Sequence, residues 1–253
     1  MRSAIIIPAR YGSSRLPAKP LLKTTGKYLI QHVYERACQA KRSRIVIVAT
    51  DDPRIAAAVE GFGGDVMMTR SDHASGTDRV AEVAEDLDVD CVINLQGDEP
   101  EIEPAYLDLL PELLERYPAV EVATLATPIQ NEEQWYNPNC VKVVCDGDGR
   151  ALYFSRQPIP FVRDGTPDFA SRPAQFLQHL GLYAFRREFL LRLQSAPPSS
   201  LERLEKLEQL RVLGLGCGIQ VGVVSTAGAG VDTLADYEAF VDRYRHHRLA
   251  AAA

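Results

Sequence analysis

The chain has 253 residues, a net charge of -6 and an apolar fraction of 46%, enough for a sizeable core without covalent staples. Its five cysteines are an odd number at irregular spacings with no C-x-x-C pair, which excludes a disulfide framework and a zinc ribbon. The acidic balance argues against a nucleic-acid-coating protein, and no run reaches the ~18 apolar residues of a membrane span, so a cytoplasmic protein with neither nucleic acid nor membrane as partner is expected.

Strands are predicted at Ala4 to Ile7, Ile45 to Ala49, Val66 to Met68 and Cys91 to Leu95, separated by helices at Tyr28 to Ala40, Arg54 to Phe62 and Arg79 to Leu87. Such β-α-β alternation builds a parallel, doubly wound sheet, and ligands on such sheets bind beyond the carboxyl ends of the strands. The loops of interest are therefore Pro8 to Pro20, Thr50 to Pro53, Thr69 to Thr77 and Gln96 to Pro100. A helix at Pro104 to Tyr117 follows, then strand-like runs at Val120 to Ala126, Val141 to Cys145, Ala151 to Phe154, Leu180 to Phe185 and Ile219 to Val224. Asp146-Gly147-Asp148-Gly149 is a hairpin signal. These later strands read as an antiparallel extension of the sheet, with helices predicted at Leu201 to Leu213 and Leu234 to Arg245. The segment Gln157 to Gln175, holding Pro158, Pro160, Pro167 and Pro173, reads as an irregular excursion and a candidate dimer arm. With no Gly/Ser linker and no repeat, residues 1–253 are expected to form a single domain in which 120–190 carry the antiparallel extension.

Chemistry concentrates at the expected binding edge. The first strand runs into Pro8-Ala9-Arg10-Tyr11-Gly12-Ser13-Ser14-Arg15-Leu16-Pro17-Ala18-Lys19-Pro20, a loop in which Arg10, Arg15 and Lys19 can converge on one polyphosphate. Neither a Walker loop nor a G-x-G-x-x-G fingerprint is present, which disfavours the usual kinases and dehydrogenases. The fourth strand ends in Gln96-Gly97-Asp98-Glu99-Pro100, so Asp98 stands at the same edge. A carboxylate facing a triphosphate is repelled unless a cation lies between them, and Mg2+ is the natural inference. A second acidic turn, Gly230-Val231-Asp232-Thr233, follows an apolar strand and precedes a helix. Ser75-Gly76-Thr77 opens a helix with N-cap chemistry. Together these features point to a magnesium-dependent nucleotidyltransferase.

These segments, with Ala49-Thr50-Asp51, Ser75-Gly76-Thr77-Asp78-Arg79, Val141-Lys142-Val143-Val144, Tyr153-Phe154-Ser155-Arg156, His179-Leu180-Gly181-Leu182-Tyr183 and Leu207-Glu208-Gln209-Leu210-Arg211, resemble in order the CMP-Kdo synthetases, the 3-deoxy-manno-octulosonate cytidylyltransferases. The resemblance implies a Rossmann-like nucleotidyltransferase fold with a mostly parallel central sheet, flanked by helices and carrying an antiparallel extension. It also implies a homodimer that joins CTP to Kdo and releases pyrophosphate. By this carry-over two Mg2+ ions are associated with Asp98 and Asp232, and the triphosphate with Arg10, Arg15 and Lys19. The nucleotide pocket would be formed by Pro8, Ala9, Arg10, Ser13, Arg15, Lys19, Ala74, Ser75, Gly76 and Gln96, with Ala74 to Gly76 reading cytosine. The sugar acid would meet Arg10, Gln96, Pro100, Arg156, His179, Tyr183, Glu208 and Gln209. From position alone His179 and Tyr183 read as strand packing and Glu208 as a helix-surface charge.

Two positions depart from the family pattern: Ala18 stands where Gly is usual, and Tyr28 where Pro is usual. Ala18 implies that the position does not require a positive φ. Rival readings are a relative acting on sialic acid or an amino-substituted Kdo, a metal-dependent glycosyltransferase, and a catalytically silent nucleotide-binding regulator. A glycosyltransferase would not require three cations in the first loop, and a silent regulator would have no use for both Asp98 and Asp232.

Overall fold

A computed structural model describes residues 1–12 and 16–251. Two compact units emerge, one of Arg2–Asp108 with the C-terminal stretch from Gly228, the other of Leu109–Ala227 with Met1. The first unit contains β1 (Ser3–Ala9), α1 (Leu29–Ala37), β2 (Ser43–Thr50), α2 (Pro53–Gly61), β3 (Asp65–Met68), α3 (Gly76–Glu85) and β4 (Cys91–Asn94). Its strands pair in the order β3-β2-β1-β4, and every pairing is parallel. Ile5, at the middle of β1, lies opposite Val46 on one side and Ile93 on the other. The run Ile5, Ile6 and Ile7 is fully buried, as a parallel strand covered on both faces demands.

Helix starts are set by local chemistry. Asp52 accepts from the Arg54 amide at 2.9 Å ahead of Pro53, whose missing N–H and fixed φ suit the first helical turn of α2. Ser75 and Asp78 form a reciprocal capping box at 3.1 Å each way, starting α3 directly after the β3 loop.

α4 (Pro104–Arg116) leads into the second unit. There the order is β5 (Val122–Pro128), α5 (Glu132–Tyr136), β6 (Lys142–Cys145), β7 (Ala151–Ser155), β8 (Leu177–Arg186), α6 (Arg187–Gln194), α7 (Ser200–Glu205), α8 (Gln209–Gly214) and β9 (Ile219–Val223). β6 and β7 form the antiparallel hairpin expected around Asp146 to Gly149, and β8 runs antiparallel to both β5 and β6. β9, outside the 120–190 extension, pairs parallel to β5, with Val122 opposite Ile219. The Gln157 to Gln175 excursion holds only a short 3-10 turn at Pro173–Gln175.

Other differences have local causes. The single helix predicted at Leu201 to Leu213 is two, because Lys206 turns into the left-handed region at φ 54 and ends α7. α5 and α6 were not expected; α5 is short, and it is held by Trp135, which is buried with Ile129 and Phe176. Cys91 is buried and Cys145 half-buried.

α9 (Leu234–Ala251) belongs to the first unit. Its Tyr237, Phe240 and Val241 form one buried cluster with Leu16, Leu29 and Val231, and the Tyr237 hydroxyl accepts from the Thr24 amide at 2.8 Å. Each of these side chains contributes roughly 1.5–3 kcal/mol on burial. The same packing holds the β1 loop and the Val231-Asp232 turn against one another.

Candidate active site

Because the strands of the first unit are parallel, the loops after β1, β3 and β4 gather at one edge. They line a cavity of about 300 Å³ together with the turn before α9. Ten positions expected from sequence lie in its wall: Pro8, Ala9, Arg10, Lys19, Ala74, Ser75, Gly76, Gln96, Asp98 and Asp232.

Two glycines permit the close approach. A Cβ on Gly97 would come within 3.1 Å of the Pro8 carbonyl oxygen, and one on Gly76 within 3.3 Å of Pro8 Cγ. Asn94, fully buried at the end of β4, donates to Thr77 Oγ1 at 3.2 Å and accepts from Gln96 Nε2 at 3.1 Å. That relay ties the start of α3 to the end of β4 and turns the Gln96 amide into a fixed orientation.

Lys19 carries the electrostatics of the floor. Its Nζ donates to Asp98 Oδ2 at 2.7 Å, to the Val231 carbonyl at 2.9 Å and to Asp232 Oδ1 at 3.4 Å. The Val231 amide donates in turn to the Asp98 carbonyl at 2.8 Å, so the two acidic turns are joined through the backbone as well. Beside them, burial and then the Asp98 and Asp232 carboxylates push the Glu99 carboxyl up to about 8, against the opposing charge of Lys19. Among the described residues no three His, Cys, Asp or Glu side chains form a group that could hold a metal ion. A divalent cation here would take its protein ligands from Asp98 and Asp232 and complete its shell from phosphate and water. Hard oxygen donors in that number suit Mg2+, which usually keeps several waters and binds through one or two carboxylates plus substrate phosphates.

Four cavity residues were not named as site residues from sequence: Pro20, Gly97, His73 and Arg79, of which the last two carry ionisable side chains. His73, whose side chain is 3% exposed, pairs with Glu82, and the Glu82 carboxylate also accepts from the Arg70 amide at 3.2 Å. Arg79 reaches Asp51 at 3.2 Å and also bonds Thr69 Oγ1, bracing the ends of β2 and β3. The signal for both was their place in the Asp72 to Arg79 motif at a strand's carboxyl end.

Ser13 and Arg15 lie outside the described residues. Pro100 is buried and does not line the cavity. Arg156, His179, Tyr183, Glu208 and Gln209 belong to the second unit. His179 Nε2 lies 2.9 Å from Thr124 Oγ1, its ring edge-on to Phe154 and 5.3 Å from Tyr183, and burial lowers its pKa to about 3. Burial, and secondarily Glu208, raises the Tyr183 hydroxyl. Arg156 donates to the carbonyls of Glu205 at 2.8 Å and Pro138 at 2.9 Å. Gln209 is buried at the start of α8, and Glu208 sits at the helix's N-cap, 3.9 Å from Arg211.

One expectation is overturned. Ala18, ahead of Lys19, adopts φ 55 and ψ 24, a left-handed conformation in which an L side chain is strained. The short turn Lys19–Leu21 begins directly after it.

The family model described as cytidylyltransferase matches residues 4–219. A 3-deoxy-manno-octulosonate cytidylyltransferase of Syntrophobacter fumaroxidans is 53% identical over 244 residues, covering 95% of this chain and 96% of the relative. One of Escherichia coli is 48% identical over 237 residues, covering 94% of each. A solved CMP:2-keto-3-deoxy-manno-octonic acid synthetase complexed with CTP superposes with a TM-score of 0.91 at 46% identity, covering 98% of this chain and 100% of that one. The 4-diphosphocytidyl-2C-methyl-D-erythritol synthase of Anaerococcus prevotii, 14% identical at a TM-score of 0.63, shares the fold over 97% of this chain and 96% of its own.

Proposed function

The chain belongs to the 3-deoxy-manno-octulosonate cytidylyltransferase family, and from that membership we propose that it transfers CMP from CTP to the anomeric hydroxyl of 3-deoxy-D-manno-octulosonate (Kdo), giving CMP-Kdo and pyrophosphate for lipopolysaccharide biosynthesis. The observation that carries this reading is one cavity lined by Arg10, Lys19, Asp98 and Asp232, at the edge where a parallel sheet binds its ligands.

In the reaction the anomeric oxygen forms a bond to the α-phosphorus while the bond to the α–β bridging oxygen breaks. Pyrophosphate leaves with that electron pair, and the hydroxyl proton passes to solvent. No protein nucleophile is required, so positioning and charge neutralisation carry the catalysis. Arg10 and Lys19, with Arg15, hold the phosphate oxygens. Gly76 and its neighbours Ala74 and Ser75 let the base lie against backbone at the start of α3. Gln96, oriented by Asn94, presents a fixed amide to the substrates. Mg2+ is the proposed cofactor, held by Asp98 and Asp232, and when bound it supplies positive charge between the anionic triphosphate and the anionic sugar acid.

In the second unit His179 and Tyr183 meet the acceptor as neutral groups. With a pKa lowered to about 3, the imidazole carries no charge at neutral pH, and the phenol keeps its proton. They hydrogen-bond hydroxyls and leave the carboxylate to cations such as Arg156. We further propose a homodimer with 120–190 as its arm, since Phe161 in the irregular segment is 85% exposed and such a contact would cover it. No described helix is long and apolar enough to cross a membrane.

The test is to incubate the protein with each of the four nucleoside triphosphates and a panel of 2-keto-3-deoxy sugar acids and to measure pyrophosphate. Release with CTP and Kdo, and little with the other pairs, is the expected result. Equal release with a nine-carbon acid would overturn the acceptor, and none with CTP would overturn the reaction.

A further inference from the structure

The Lys19 ammonium has three N–H donors, and among the described residues it meets three oxygens of the two acidic turns: Asp98 at 2.7 Å, the Val231 carbonyl at 2.9 Å and Asp232 at 3.4 Å. The side chain is 14% exposed, so little water shares these contacts. Two carboxylate oxygens and a carbonyl form a hard-oxygen set that suits an ammonium or a divalent cation, but not both together. We propose that Lys19 is a place-holder cation: without nucleotide its ammonium stands between Asp98 and Asp232, and a divalent cation is held there only after the ammonium has moved to the triphosphate. This deepens, and rests on, the reading of Asp98 and Asp232 as the cation's ligands and of Lys19 as a triphosphate contact.

The argument is one of charge. Asp98 and Asp232 repel each other, so the two acidic turns need a positive charge to stay together. Lys19 provides it from within the chain. A divalent cation arriving alone would have to displace the ammonium and then face it at short range, in a setting where each unit charge interacts strongly. Arriving with the triphosphate, it brings phosphate oxygens of higher charge that offer the ammonium a new partner. Metal and nucleotide binding are thereby coupled, each strengthening the other by the same factor.

The test is Mn2+ binding to the nucleotide-free protein, followed by the electron paramagnetic resonance of unbound Mn2+. Lys19→Met and Lys19→Gln are expected to bind Mn2+ at least tenfold more tightly than the parent chain while binding CTP more weakly. Lys19→Gln keeps an amide donor for the Val231 carbonyl and guards against misfolding of the methionine variant, with thermal unfolding recorded for each. Lys23→Met removes the same charge nearby, from an ammonium that lies 4.3 Å over the Tyr28 ring, and should leave Mn2+ affinity within twofold. Adding Asp98→Asn to Lys19→Gln should erase the gain. Unchanged affinity in both Lys19 variants, an equal gain in Lys23→Met, or a gain that survives Asp98→Asn would overturn the proposal. If Asp98→Asn leaves Mn2+ binding in the presence of CTP intact, the assignment of the carboxylates falls too; if it abolishes that binding while the Lys19 variants show no gain, only the place-holder falls.

Discussion

Arg243 grips Glu101 from α9, with Nη2 2.6 Å from Oε2 and Nε 3.0 Å from the same oxygen. Glu101 follows Asp98 on the turn after β4, and α9 begins directly after the Asp232 turn, so this ion pair staples together the two segments that carry the carboxylates. The side chains are 40% and 25% exposed, which limits its contribution to stability to about 0.5–1 kcal/mol. Its larger effect is on geometry. Arg243→Gln is expected to lower kcat roughly tenfold with the KM for CTP nearly unchanged, and Arg243→Lys to recover part of the loss. Equal loss in both parameters would make the pair a stability element only.

Ala18→Gly should stabilise the protein. The left-handed backbone at φ 55 costs an alanine roughly 1–2 kcal/mol. Glycine relieves that strain but loses about 0.4–1 kcal/mol through its freer unfolded chain. The net gain is about 0.5–1 kcal/mol, read as a rise in calorimetric Tm of roughly 1–4 °C. A lower Tm would show that the loop relaxes away from this conformation in solution.

What was legible in the sequence is what local chemistry decides. The Ile5-Ile6-Ile7 run reads as a covered strand because burial on both faces needs continuous aliphatics, and Ser75-Gly76-Thr77 reads as a helix start because capping spans only one turn. Ala18 misled because the left-handed region is unusual for a residue with a Cβ, so an alanine gives no sign that its position takes a positive φ. The split between α7 and α8 was hidden because a lysine, Lys206, holds the left-handed position usually given to glycine. The convergence of Lys19 with Asp232 joins positions 213 residues apart and carries no periodic signal. Only the recurrence of acidic turns at strand ends, and the family resemblance, pointed there.

Lys142 makes a further stability prediction. It is fully buried in β6, and its ammonium donates to the carbonyls of Cys140 at 2.7 Å, Asn137 at 2.8 Å and Arg156 at 3.0 Å. Lys142→Met keeps the volume and removes all three donors, leaving buried carbonyls without partners at about 1–3 kcal/mol each. A loss of at least ~3 kcal/mol in urea unfolding is expected. A loss below ~1 kcal/mol would mean that water reaches these carbonyls.

Acid should destabilise the protein through two buried histidines. Burial, then Lys27, lowers His32 from 6.5 to about 4, where its Nε2 meets Thr25 Oγ1 at 2.7 Å; burial lowers His179 to about 3. A depressed histidine pKa means that the fold favours the neutral ring. The stability it contributes is complete above pH 6.5 and is lost as pH falls, through about 4 for His32 and about 3 for His179. His32→Gln, which cannot take a proton, should flatten the part of the profile between pH 6.5 and 4. An unaltered slope would place the acid sensitivity elsewhere.

Asp98 and Asp232 are not equivalent, and their amides should separate them. Asp98 makes the shorter contact with Lys19, 2.7 Å against 3.4 Å, and its side chain is the less exposed, 30% against 49%. Its own backbone carbonyl also takes the Val231 amide, so Asp98 stands at the junction of both acidic turns. Asp98→Asn therefore removes charge from the point that organises the floor and is expected to weaken Mg2+-dependent CTP binding as well as turnover. Asp232 lies toward the solvent side, where an incoming sugar acid must be brought up against a triphosphate of the same sign. Charge placed there matters most when the acceptor hydroxyl closes on the α-phosphorus, so its loss should fall on kcat. Asp232→Asn is expected to lower turnover by at least a hundredfold, about 2.7 kcal/mol of transition-state stabilisation, while CTP binding by calorimetry changes less than threefold. Turnover near the parent value at saturating Mg2+ would reduce Asp232 to a turn residue. Equal damage to CTP binding in both variants would show that the two carboxylates act as one site.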